Sequence, residues 1–191
     1  MCVVLICPLE VRPSPEILQL CSRKNPHGGG IAWRKRDVVE WLKTDDVDEI
    51  HRLIQRLKGE IVIHFRIATV GGACPELRHP FPITRTAQLN PRGRAAAVLF
   101  QNGTWKNWGN ALQLAWQDGK TPPAGPISDT RAAAWLCHLF GHEWLNQSGD
   151  SRWVYFAATQ TVSYGQWFER EGIQYSNLHW LPKTQPSRSH E

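Results

Sequence analysis

Met1-Cys2-Val3-Val4-Leu5-Ile6-Cys7-Pro8 opens the chain. The apolar run predicts a first strand over Cys2 to Cys7, ended by Pro8. Methionine is usually trimmed when the following residue is small, and cysteine is small. Its removal would leave Cys2 with a thiol and a free α-amine on one carbon. That pairs a strong nucleophile with its own base, since an α-amine titrates at roughly 7.7–8.0. A cysteine that merely opens a buried strand has the same sequence, so the residues downstream must decide.

Working outward, Ser14-Pro15-Glu16 starts a helix, with Ser14 as cap and Pro15 in the first turn. The run Asn25-Pro26-His27-Gly28-Gly29-Gly30 breaks it. Ile31 to Trp33 and Val38 to Leu42 read as paired strands around Lys35-Arg36-Asp37. A second helix starts near Asp46, with Val47, Ile50, Leu53, Ile54 and Leu57 at helical spacing. Ile61 to Arg66 reads as a buried strand. A stretch rich in Pro and Gly, from about Ala68 to Arg94, reads as irregular, and long loops of this kind usually carry function. Ala95 to Phe100 is a strand that delivers Gln101-Asn102-Gly103 to its end. Trp108 to Trp116 and Asp129 to Leu139 read as helices, Trp153 to Ala158 and Val162 to Phe168 as closing strands. No repeat or compositional break divides the chain, which predicts one mixed α+β layered domain over 1–182 and a polar tail over 183–191.

The chain has 191 residues, enough for a substantial core. Its 22 Lys and Arg against 17 Asp and Glu give a formal charge of +5, scattered rather than blocked, so nucleic-acid binding is not indicated. Five cysteines without a C-x-x-C pair do not form a disulfide framework and point to a reducing cytoplasm. No basic leader precedes the first apolar run, and no run approaches the length of a membrane span. Ten tryptophans are expected in core and pocket walls, or on a partner surface. His138 and His142, four apart near Cys137 and Glu143, have a spacing that can hold a metal; Gly141 argues for a helix end between them, and no metal is assigned.

Amide cleavage by a cysteine needs donors for the oxyanion and groups that hold the substrate's charged ends. Asn102-Gly103 supplies a side-chain N–H₂ and an unobstructed backbone N–H, although the same pair makes a common turn. Arg66 closes an apolar strand and needs a carboxylate, either a substrate's or the protein's own. Asp129 in Ser128-Asp129-Thr130 can accept from an ammonium, or can serve a helix cap.

Taken together these blocks resemble the class II glutamine amidotransferase domain, a branch of the N-terminal nucleophile hydrolases. The resemblance rests on Met1-Cys2, Asn25-Pro26-His27-Gly28-Gly29-Gly30-Ile31-Ala32-Trp33 and His64-Phe65-Arg66-Ile67-Ala68-Thr69. It continues through His79-Pro80-Phe81, Asn102-Gly103-Thr104 and Ser128-Asp129-Thr130 to Gly165-Gln166-Trp167-Phe168 and Tyr175-Ser176-Asn177-Leu178, in family order to about position 180. It departs from the family at Val70, where many relatives have His, at Gln101, where His is common, and at His27, where they often have Asp.

The resemblance implies a four-layer αββα sandwich with the nucleophile opening an inner strand. It implies a glutaminase or amidotransferase: Cys2 attacks the side-chain amide of L-glutamine, Asn102 and Gly103 hold the oxyanion, Arg66 and Thr69 meet the α-carboxylate and Asp129 the α-ammonium. No cofactor is implied. The ammonia would go to a separate synthase subunit or be released. Two other readings stay open here: a hydrolase of another amide, and a silent binding or regulatory subunit of the same fold.

Overall fold

Val3 to Cys7 form β1, and all five side chains are buried, because the strand is covered on both faces. The computed structural model describes residues 2–70 and 72–182; the trimming of Met1 and the polar tail from 183 lie outside the described residues. After β1 come α1 (Pro15–Lys24), β2 (Gly29–Lys35), β3 (Val38–Thr44), α2 (Val47–Ile54) and β4 (Ile61–Phe65). Then follow β5 (Phe81–Pro82), β6 (Arg92–Ala95), β7 (Ala97–Asn102), α3 (Trp108–Gln117) and α4 (Asp129–Phe140). The last elements are β8 (Arg152–Ala157), β9 (Thr161–Tyr164), β10 (Phe168–Arg170) and β11 (Ile173–Tyr175).

The strands form two antiparallel sheets, one in the order β10-β11-β1-β4-β2-β3-β6 and one in the order β5-β7-β8-β9. Alternation along the strands builds three apolar layers. Val3, Leu5 and Cys7 face outward and pack with Leu18 and Cys21 of α1 and Ile50 and Ile54 of α2. Val4 and Ile6 face inward and meet Val98, Phe100, Val154 and Phe156 of the other sheet. On that sheet's outer face, Leu99 and Trp153 pack against Ala133, Ala134 and Trp135 of α4 and Ala115 of α3. The order is helix, sheet, sheet, helix, the expected four layers. Each fully buried Val, Leu, Ile or Phe contributes about 1.5–3 kcal/mol, so the double-faced burial of β1 and β4 anchors the middle of the larger sheet.

Helix starts fall where the sequence places them. Ser14 Oγ accepts from Ile17 N–H, Asp46 from Asp48 N–H and Ser128 Oγ from Arg131 N–H. Strand limits differ in several places, and the predicted strand from Ala95 to Phe100 joins the last residue of β6 to β7, which lie in different sheets. Gly29 and Gly30 do not end the preceding region as breakers; they begin β2. A Cβ on Gly30 would stand 1.9 Å from the His79 carbonyl oxygen, so the residue is glycine to let two backbones touch. The predicted closing strand from Val162 to Phe168 is two strands in different sheets, parted at Gly165, whose φ of +87° turns the chain from one sheet toward the other. Finally, the irregular stretch contains β5 and β6, too short to read by pattern.

Gly30→Ala should therefore lower stability by about 3 kcal/mol. Thermal unfolding should show a fall in Tm of roughly 6–12 °C. A Tm within 2 °C of the parent would mean that the close approach relaxes freely.

Candidate active site

A cleft at one end of the sandwich is lined by Cys2, Arg66, Ile67, Thr69, Val70, His79, Gln101, Gly103, Ser128, Asp129 and Thr130. Five of the six expected site residues line it; the sixth, Asn102, lies between the lining residues Gln101 and Gly103. The fold brings them together from the ends of β1, β4 and β7 and the first turn of α4.

Cys2 is half-buried and its Sγ lies 3.3 Å from the backbone N–H of Ile67, which donates to it, and 3.2 Å from the Ile67 carbonyl. Burial raises the thiol's pKa, while the Ile67 backbone hydrogen bond and the Arg66 charge pull the other way. Burial thus favours the neutral thiol over the thiolate. Asn177 Nδ2 donates to the Cys2 carbonyl at 2.6 Å, which fixes the backbone that carries the Cys2 thiol.

Arg66 follows β4, its N–H donating to the Gly28 carbonyl at 2.8 Å. The side chain is buried, 4 % exposed with its residue, and makes no ion pair among the described residues. Nη2 donates to the Val70 carbonyl at 3.2 Å, and Nη1 has no partner among the described residues. The internal ion pair left open by the sequence is therefore absent there, and a guanidinium with spare donors faces the cleft. Burial lowers its pKa, and Cys2, Cys74 and Asp129 oppose that shift.

Asp129 is the first residue of α4, while Ser128 is its cap. Its Oδ2 accepts from Trp105 N–H at 2.9 Å and from Gln101 Nε2 at 3.1 Å, and its Oδ1 from Thr130 N–H at 3.0 Å. Burial raises its pKa despite these donors. Three small alanines, Ala132 to Ala134, let α4 lie close on the sheet and bring Asp129 to β7. Thr69 is exposed at the rim, its Oγ1 3.4 Å from Thr104 Oγ1.

Sequence reading undervalued Gln101. It is buried, and its amide joins three partners: Nε2 donates to Asp129 and to Ser151 Oγ at 3.1 Å each, and Oε1 accepts from Thr130 Oγ1 at 2.5 Å. A histidine there would have two ring nitrogens and could not serve all three. His27, another departure, accepts at Nδ1 from Ala68 N–H at 2.8 Å and so pins the segment after Arg66. Arg131 ties α4 to two loops, donating to the carbonyls of Ala124 and Pro126 just before the helix and of Thr86 and Ala87 between β5 and β6. Nothing in the local pattern marks these residues, because their partners lie far along the chain.

The cleft has a free volume of about 20 Å³, room for roughly one water. The Val70 carbonyl occupies one face of the guanidinium by accepting from Nη2. Gly141, with φ +81°, ends α4 between His138 and His142; His142 instead bonds Tyr164 at 2.6 Å. Among the described residues no cluster of three or more metal-binding side chains occurs, and no helix is long and apolar enough to cross a membrane.

Comparison of the sequence finds no matching protein-family model. No curated protein matches it either. Comparison of the fold finds solved structures that match over most of the chain. One, the allosteric regulatory enzyme of purine biosynthesis, is 21 % identical, with a TM-score of 0.58 over 85 % of this chain and 37 % of its own. Another, glutamine phosphoribosylpyrophosphate amidotransferase from B. subtilis, was solved with ADP and GMP; it is 16 % identical, with a TM-score of 0.60 over 92 % of this chain and 42 % of its own. The chain thus spans about two-fifths of the length of the structures it matches. The four layers expected from the sequence are the fold that the chain shares with these solved structures.

Proposed function

We propose that this chain, folded as an N-terminal nucleophile amidotransferase domain, hydrolyses the side-chain amide of L-glutamine and releases ammonia for an acceptor. One observation carries the reading. Cys2, Arg66, Gly103 and Asp129, far apart in sequence, meet around one cleft, with Asn102 beside it.

With Met1 removed, the Cys2 α-amine takes the thiol proton as sulfur attacks the amide carbon. The carbonyl π electrons move to oxygen, and the N–H groups of Gly103 and Asn102 stabilise that charge. The amine returns its proton to the leaving nitrogen, the C–N bond breaks, and ammonia departs. Water then adds to the glutamyl thioester, the same amine takes its proton, and the C–S bond breaks to give glutamate and the thiol. Arg66 supports recognition of an α-carboxylate, since its donors are buried and unspent on any protein carboxylate. Asp129 supports recognition of an α-ammonium, which would also offset the burial that raises its pKa. An α-amino acid is the ligand that needs both charges at once.

The test is reaction of the purified, Met1-trimmed protein with 6-diazo-5-oxo-L-norleucine, followed by intact mass and peptide mapping. One adduct on Cys2, prevented by excess glutamine, is expected. A trimmed protein that stays unlabelled and releases no ammonia from glutamine overturns the reading.

A further inference from the structure

Ser176 ties the nucleophile's strand to the strand that carries Asn102. It follows β11, and its N–H donates to the Val4 carbonyl at 3.0 Å. Its Oγ accepts from Val4 N–H at 2.8 Å and lies 2.9 Å from Asn102 Nδ2. Both Ser176 and Asn102 are fully buried. With the amide turned this way, Ser176 Oγ receives two donors and gives its own hydrogen to no acceptor among the described residues. Asn102 Oδ1, also buried, accepts from nothing among them. A hydroxyl hydrogen and a carboxamide oxygen are thus left unused on two side chains already in contact.

A half-turn of the carboxamide gives both of these a partner and moves the N–H₂ into the buried place that Oδ1 held, where it has no acceptor among the described residues until a ligand oxygen arrives. Ser176 O–H then donates to Asn102 Oδ1, Val4 N–H still donates to Ser176 Oγ, and the amide N–H₂ is released from the serine. Asn102 shares the strand face of Val98 and Phe100, which point into the layer between the sheets. Cys2 stands two residues before Val4, whose side chain enters the same layer. Asn102 and the strand that follows Cys2 thus meet in the same layer between the sheets.

We infer that Ser176 is a positioning residue that holds the Asn102 carboxamide with its oxygen inward, so that the N–H₂ is presented to the oxyanion. The inference rests on the glutamine-hydrolysis reading for its purpose, and on the orphaned polar atoms for its geometry. Without the serine hydroxyl the amide has no preference between a donor and an acceptor facing the reacting oxygen. Val4 also ties the serine to β1, so orientation is set from the nucleophile's own strand.

Two measurements test it. Neutron diffraction from the deuterated, unmodified protein reads the amide directly: deuterons on the Asn102 atom away from Ser176 are expected. A deuterated nitrogen against the serine overturns the inference, whatever the enzyme's activity. The second is a double-mutant cycle with glutamine. Ser176→Ala should lower kcat by about 10- to 100-fold with KM changed less than about threefold, below the roughly 100- to 1,000-fold loss for Asn102→Ala. In the Asn102→Ala background, Ser176→Ala should change kcat less than about twofold. Equal losses in both backgrounds would show a merely structural serine and overturn the inference. Parent protein that neither labels nor turns over glutamine would sink the functional reading instead, and the neutron map would still decide the amide.

Discussion

Cys2→Ala should abolish ammonia release from glutamine, lowering kcat by roughly 10⁵-fold or more, because no other group in the cleft can form the thioester. Among the cysteines, Cys7, Cys21 and Cys137 are buried in apolar layers, where burial pushes their thiols up, that of Cys7 to about 12. Cys74 is half-buried, with its Sγ against Glu76. The substitution should leave the fold unchanged. Cys2 precedes β1, is half-buried, and among the described residues its sulfur hydrogen-bonds only with the backbone of Ile67. Cys2→Ser should be nearly as inactive, since a hydroxyl is a far weaker nucleophile than a thiol at the same place. A coupled ammonia assay with Tm measured on the same samples checks both halves. Residual turnover above about one per cent in Cys2→Ala would mean that the chemistry lies elsewhere.

Arg66→Met should part stability from function. The guanidinium is buried, has no carboxylate partner among the described residues and leaves Nη1 without an acceptor there. An apolar side chain of similar length relieves a buried charge, which usually holds or raises stability. Glutamine, however, loses two charge-assisted hydrogen bonds to its α-carboxylate, each worth about 1.5–3 kcal/mol. kcat/KM should fall by roughly 10²–10⁴-fold, mostly through KM, while Tm stays level or rises by a few degrees. Arg66→Lys keeps the charge without the two-pronged fork and should fall between. Steady-state kinetics and thermal melts on the three proteins decide it. A Tm loss of several degrees in Arg66→Met, with KM unchanged, would make the arginine a structural strut.

The two expectations draw on different parts of the argument. Cys2 stands out as a candidate from the first residues, because the chemistry of a trimmed N-terminal cysteine depends on its own backbone amine, but only the blocks downstream set it apart from a cysteine that merely opens a strand. Arg66 was legible only as a question. Its strand announced a buried cation, but whether a protein carboxylate answered it depended on which side chains the fold brought near. Asp129 is similar: the triplet Ser128-Asp129-Thr130 reads as a cap, and Ser128 takes that role, leaving the aspartate's oxygens to Gln101 and Trp105. The Gly28–Gly30 run misled in detail, since glycines that look like punctuation also permit the touching backbones at His79.

What the sequence determined by itself was local or ordered along the chain: helix starts set by Ser14, Asp46 and Ser128, the buried strands β1, β4 and β7, and the succession of blocks that resembles one family. Those follow from side-chain periodicity, capping and turn chemistry, which act over a few residues. Only the tertiary structure decided that β10 and β11 complete the larger sheet, that Gln101 binds Asp129, Ser151 and Thr130 together, and that Ser176 reaches across to Asn102. A hydrogen bond between residues 74 positions apart, as between Ser176 and Asn102, leaves no periodic trace in either segment. Its partner is chosen by the stacking of two sheets, and that choice belongs to the whole fold.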